Sequence, residues 1–197
     1  IFDEVLTGFR VARGGAQERY DVKPDITCVA KIAGGGYQLG GFGGSRKIME
    51  EIVPKAEGNV YHGGTYNAHP VSVAAGLKTL QILGRPGVYR KIDRIGDSLF
   101  HGLRDVAEDR GVDVWVESVG SMGQMYFTDK EVAKWRDAID IDRERWNHWF
   151  MHSLGRGVFF GVPHPDEHFF TSLVHSDKDI QHALDVTDGA FKRIAKE

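Results

Sequence analysis

Apolar positions follow two regimes along the chain. In the first third, short runs without polar alternation stand between glycine-rich stretches: "IFDEV" (1–5) and "ITCVAKI" (26–32, apolar except for Lys31). Such runs predict strands covered on both faces of an α/β sheet. The stretch "NAHPVSVAAGLKTLQILG" (67–84) predicts a helix. Asn67 or His69 lies near its start, Pro70 suits its first turn, and Gly84 followed by Pro86 ends it. Val73, Leu77 and Leu80 share one face of that helix, and Ala74 leaves room for close packing.

Beyond Gly84 the helical period dominates. Val88, Ile92, Ile95, Leu99, Leu103 and Val106 mark a long amphipathic helix ending at Gly111. "VDVWVE" alternates as a half-exposed strand, with Val112, Val114 and Val116 on one side. "MYFTD", "GVFFGV" and "FFTSLVH" read as further strands. Asp142 can cap a helix carrying Trp146, Trp149, Phe150 and Leu154, a stripe that suits a core better than a stacking platform. Ser176 and Asp179 resemble a capping box before a last helix with Ile180, Leu184, Phe191 and Ile194. The expected organisation is an incomplete α/β piece over 1–84 and a self-contained α+β unit over 85–197.

Composition narrows the function classes. With 197 residues, 41% hydrophobic, 27% charged and a net charge of -3, the chain has ordinary globular proportions. No basic block provides a footprint for nucleic acid, and no apolar run is long enough to span a bilayer. A single cysteine, Cys28, allows no intrachain disulfide and suits a reducing, cytoplasmic setting. Cys28 itself reads as a buried small hydrophobe. About half of the 25 glycines fall between Gly8 and Gly64, interspersed with apolar residues, which suggests turns approaching a ligand. A chain that opens on Ile-Phe, with no cap or turn before it, reads as the interior of a larger protein.

Two chemistries place an acid at the end of a strand like "IFDEV". A nucleotide hydrolase would need a phosphate loop ending in Gly-Lys-Ser/Thr, and "GGFGGSRK" lacks one. That reading also leaves Lys31 unexplained. An ammonium within an apolar strand is costly to bury unless it is paired or neutralised, and desolvation makes it an amine able to form a Schiff base. The alternative is a strand-end lysine that reaches solvent. "HPDEH" (164–168) raises a metal question, but Pro165 interrupts the helix that a four-residue ligand spacing requires, so a solvated loop is expected and no metal site.

Three stretches in register, "IFDEVLTGFR", "KPDITCVAKIAGGGYQLGGFGG" and "HGGTYNAHP", resemble successive motifs of the class III (ω-type) pyridoxal-phosphate aminotransferases. The likeness continues through "GSMGQMYFTD" and "SLVHSDKDI", and within the family it is most similar to the glutamate-1-semialdehyde 2,1-aminomutases. The resemblance implies an α/β, fold-type-I transferase: a partial large-domain sheet over 1–84, then a small α+β domain over 85–197. It implies pyridoxal 5'-phosphate held as a Schiff base on Lys31, with Asp3 against the pyridine nitrogen and Val5 against a face of the ring. Gly64 and Thr65 would bind phosphate, Thr65 reaching the neighbouring subunit's site, which implies a homodimer acting on a small amino acid or amino-aldehyde. Thr65 could instead cap the helix that follows. Glu4 matches a structural acid, and glycines 34–36 and 40–44 are expected to shape the bend after Lys31. "VPHPDEHFFTSLVHS" and Tyr37-Gln38 depart from the aminomutase pattern near substrate access, leaving intermolecular transamination open. A truncated chain without activity is a further alternative.

Overall fold

The computed structural model describes residues 1–54, 58–161 and 167–196. They form two compact units, Ile1–Tyr89 and Arg90–Glu197.

In the first unit, β1 (Phe2–Glu4), β2 (Ile26–Val29) and β3 (Gly41–Gly44) make a three-stranded sheet in that order. β1 and β2 run parallel, with Asp3 opposite Cys28, and their connection contains the short helix α1 (Gly15–Arg19). β3 pairs antiparallel on the far side of β2, Phe42 opposite Cys28. The glycines expected only to shape a bend therefore supply an edge strand. Cys28 is half-buried rather than buried. A short helix α2 (Arg46–Met49) follows, then α3 (Pro70–Leu83).

The strand expected over 26–32 stops at Val29. A 3₁₀ turn, Lys31–Gly34, replaces its end, because Lys31 takes a left-handed φ of 46° that no strand accommodates. α3 begins and ends where its punctuation predicts, with His69 as the cap and Pro70 in the first turn. Its facing differs from expectation. Val73 and Leu77 are exposed, whereas Ser72, Gly76 and Leu83 are buried. The 3₁₀ turn comes so close to this helix that only small side chains fit between them.

The second unit packs α4 (Val88–Arg110, from Arg90 on), α5 (Arg143–Leu154) and α6 (Asp177–Ile194) with an antiparallel sheet of β4 (Trp115–Val119), β5 (Met122–Tyr126) and β6 (Phe169–Phe170). α4 buries Ile92, Ile95, Leu99, Phe100 and Leu103 at helical spacing. Gly96 lets it meet the β4–β5 turn: a β-carbon at 96 would stand 2.1 Å from the Gly120 carbonyl oxygen. Arg104 adds a strap, its Nη2 donating to the Val116 carbonyl at 2.7 Å.

Trp149, fully buried, stacks on Phe160 at 4.4 Å between ring centres and meets Trp146 edge-on. Its indole N–H donates to Thr187 Oγ1 at 3.1 Å, so the core closes without an orphaned donor there. Asp142 caps α5 by accepting from the Glu144 and Arg145 N–H groups. Ser176 and Asp179 form the expected reciprocal box on α6. "MYFTD" is strand only through Tyr126. Among the described residues of "GVFFGV" no strand forms, and of "FFTSLVH" only the first two residues pair.

Candidate functional site

Asp3 and Lys31 lie near the same end of the sheet because β1 and β2 are parallel neighbours. Adjacent strands lie roughly 4.8 Å apart, and ligands of open α/β sheets bind beyond the carboxyl ends of the strands. Asp3 is one residue from the end of β1, and Lys31 stands two residues past the end of β2. Lys31 is exposed, contrary to the buried amine expected from its apolar flanks. Its ammonium has neither hydrogen bond nor ion pair among the described residues. Its constraint lies in the backbone: a left-handed φ at a lysine costs about 1–2 kcal/mol and must be imposed by its surroundings.

The surroundings are α3. The turn closes by the Ala33 N–H donating to the Ala30 carbonyl at 3.0 Å, with Lys31 inside it. Ala33 and Gly34 are buried, and a β-carbon on Gly76 would stand 2.4 Å from the Ala33 carbonyl oxygen. Gly35, at φ 60°, lies against Thr79 and the Ala75 carbonyl. These glycines are the site residues that hydrophobic patterning misses. The small-residue run Ala74-Ala75-Gly76 is the signal that points to them.

Asp3 is exposed and accepts the Val5 N–H through Oδ1 at 3.0 Å, leaving Oδ2 without a partner among the described residues. Val5 lies past the end of β1, in the turn, and not on the strand as expected. Glu4 points the other way. It is 1% exposed and accepts from the Ala16 N–H at 2.8 Å and the Gln17 N–H at 2.9 Å, with Thr7 and the Gln17 side chain completing its shell. Burial works against its charge, but those hydrogen bonds prevail and hold its carboxyl below the ordinary glutamate value. Glu4 thus fastens β1 to α1, while its neighbour Asp3 is left available.

Gly64 and Thr65 lie in an exposed turn closed by the Asn67 N–H on the Gly64 carbonyl at 3.1 Å. The Thr65 hydroxyl makes no hydrogen bond among the described residues. The capping alternative fails, because His69 Nδ1 accepts the Ser72 N–H at the start of α3. Ala68, at φ 55°, turns the chain from Thr65 into that helix. One helix therefore carries the Thr65 turn at its N-terminus and the Lys31 turn on its flank.

One cleft of this unit, about 500 Å³, is lined by Glu4, Phe9, Arg13 and Gln17 and not by Asp3 or Lys31. A second cavity, about 510 Å³, lies in the other unit between Phe160, Phe169, Thr171 and Ile180. His164 lies outside the described residues. No helix of the described residues is long and apolar enough to cross a membrane.

The chain is 41% identical over 194 residues to glutamate-1-semialdehyde 2,1-aminomutase of Desulfitobacterium hafniense (strain Y51), covering 98% of this chain and 44% of that protein. It thus spans less than half the length of this curated relative. Among solved structures, an omega-transaminase from Sphaerobacter thermophilus superposes with a TM-score of 0.87 at 29% identity, over all of this chain and 44% of that one. The PLP internal aldimine form of the Sphingopyxis sp. MTA144 FumI protein superposes at 0.80 with 27% identity, over 98% of this chain and 42% of that one. The family model for aminotransferase class III matches residues 1–191. With that match across nearly its whole length, the chain belongs to the class III aminotransferase family.

Proposed function

We propose that this chain is part of a pyridoxal-phosphate enzyme that moves an amino group, of the glutamate-1-semialdehyde 2,1-aminomutase kind. The observation that carries the reading is that Asp3, whose Oδ2 has no partner among the described residues, and Lys31, whose amine is unengaged there, stand near the carboxyl ends of two adjacent parallel strands. Those groups fit the cofactor: an amine for its aldehyde carbon and a carboxylate for its ring nitrogen. When bound, pyridoxal phosphate supplies the electron sink for charge left on the substrate carbon.

Lys31 Nζ then has two duties. It would hold the cofactor through its amine and, when free of it, would move a proton at the substrate carbon. Asp3 would hold the ring nitrogen by accepting its hydrogen bond and so keep it protonated, and Val5 would pack against the ring. Gly64 and Thr65 bind phosphate, in our reading that of the neighbouring subunit of a homodimer; the free Thr65 hydroxyl supports this. We assign residues 1–84 to the cofactor-binding large domain and 85–197 to the small domain of a cytoplasmic enzyme. Intermolecular transamination of another amino acid or amine is the second reading, favoured by the likeness to the omega-transaminase fold.

The test is chemical. The complete protein is incubated with pyridoxal phosphate, reduced with borohydride and mapped by mass spectrometry. A pyridoxyl group on Lys31, absent from Lys31→Ala, is the expected result. A folded protein that carries no label at Lys31 would sink the reading.

A further inference from the structure

Lys31 occupies a conformation that its own residue type disfavours, so something outside the turn must hold it there. The contacts of the turn point to a single support. Its carbonyl at Ala33 takes the space a β-carbon on Gly76 would need, its left-handed Gly35 lies against Ala75 and Thr79, and Leu39 closes the remaining side against Gly34 and Gly76. Every one of these contacts is to α3 or to the segment packed on it. Resting on the function proposed above, we infer that Gly76 is a positioning residue for Lys31: its missing side chain sets the depth at which the turn seats, and hence where the lysine amine stands.

A methyl group at position 76 cannot be absorbed by a flexible side chain, because the atom it meets first is a backbone oxygen. Either the helix or the turn must give by about half an ångström or more. The hydrogen bond from Ala33 to Ala30 spans Lys31, so a displaced Ala33 drags the lysine with it. Misplacing a reacting group by about 1 Å can cost on the order of a hundredfold in rate.

A lesion of the same kind exists elsewhere as a control. Gly96 in α4 meets the Gly120 carbonyl oxygen at 2.1 Å from its would-be β-carbon, in the other compact unit. Gly96→Ala should therefore destabilise as Gly76→Ala does without touching the Lys31 turn.

The experiment measures how fast the complete, cofactor-free protein captures added pyridoxal phosphate on Lys31, by borohydride quenching at timed intervals and mass spectrometry, below the melting temperature of every variant. Gly76→Ala is expected to slow capture by on the order of tenfold to a hundredfold, with Gly96→Ala at the wild-type rate. Equal rates for Gly76→Ala and wild type overturn the inference and leave the functional reading intact. Equal slowing in both glycine variants also overturns it, since the effect would then be loss of stability. Absence of label on Lys31 in the wild type overturns both. Should Gly76→Ala not fold, Leu39→Ala loosens the same seat without a clash, and wild-type capture by that variant overturns the inference.

Discussion

The carboxylate of Glu4 occupies the space that a side chain at position 15 would need. A β-carbon on Gly15 would lie 2.4 and 2.6 Å from its two oxygens, and Gly15 sits at φ 74°, where any other residue is strained. Gly15→Ala is therefore expected to cost about 2–4 kcal/mol, from the left-handed backbone and the displaced carboxylate together. Glu4→Ala should cost about 2–3 kcal/mol, because it strands the Ala16 and Gln17 N–H groups. In urea unfolding the double variant should fall short of the sum of the two, since the clash vanishes with the carboxylate. Strict additivity would contradict the assignment.

Glu4 also predicts a pH dependence with a definite sign. Its folded-state value lies below the ordinary 4.5, so the folded state binds fewer protons than the unfolded chain in between. Its contribution is complete above the ordinary glutamate value and is lost as pH falls through the lowered one. Stability measured from pH 6 down towards 3 should decline less steeply in Glu4→Gln than in wild type. Parallel curves would show that the carboxylate is not the titrating group.

The backbone strain at Lys31 can be separated from its chemistry. Lys31→Ala and Lys31→Gly both remove the amine, but only glycine adopts φ 46° without cost. After allowing for the freedom glycine gains in the unfolded chain, Lys31→Gly should be more stable than Lys31→Ala by about 1 kcal/mol. Thermal unfolding of the two cofactor-free proteins reads the difference directly. A more stable alanine variant would mean that the turn is not left-handed in solution.

In the second unit, Thr187 accepts the indole N–H of Trp149 while donating to the Ala183 carbonyl. Thr187→Val keeps the shape and removes the acceptor, leaving a fully buried N–H without a partner, at a cost of about 1–3 kcal/mol. Thr187→Ser retains the oxygen and should recover most of that in chemical denaturation. Equal losses in both variants would point to packing of the methyl group instead.

What the sequence made legible follows from which physical signal each element depends on. α4 and α6 bury broad apolar stripes and α5 its two tryptophans, so their helical period and the caps at Asp142 and Ser176 were visible, although Leu154, expected on the α5 stripe, is exposed. α3 gave away its ends through Pro70 and Gly84 but not its facing, because hydrophobicity reports volume, whereas this helix is chosen for the absence of it at Gly76. "GVFFGV" looked like a strand because one of its two aromatics is needed in the core, while Phe159 is exposed. Phe160 is buried against Trp149, and left-handed Gly157 and Gly161 bound the segment. Asp3 and Lys31 were singled out by type and spacing, and the parallel pairing of β1 and β2 sets them near one end of the sheet. The turn that lifts Lys31 out of the strand was not legible, since nothing local to "VAKIAG" announces a left-handed lysine.

The dependence of that turn on α3 has a consequence for how the protein is made. Lys31 leaves the ribosome about forty residues ahead of the helix it rests on, a lag of roughly two to eight seconds at ordinary elongation rates. During that interval nothing opposes relaxation of the lysine to a right-handed backbone. The left-handed turn therefore forms only once residues 70–83 have been synthesised and folded against it.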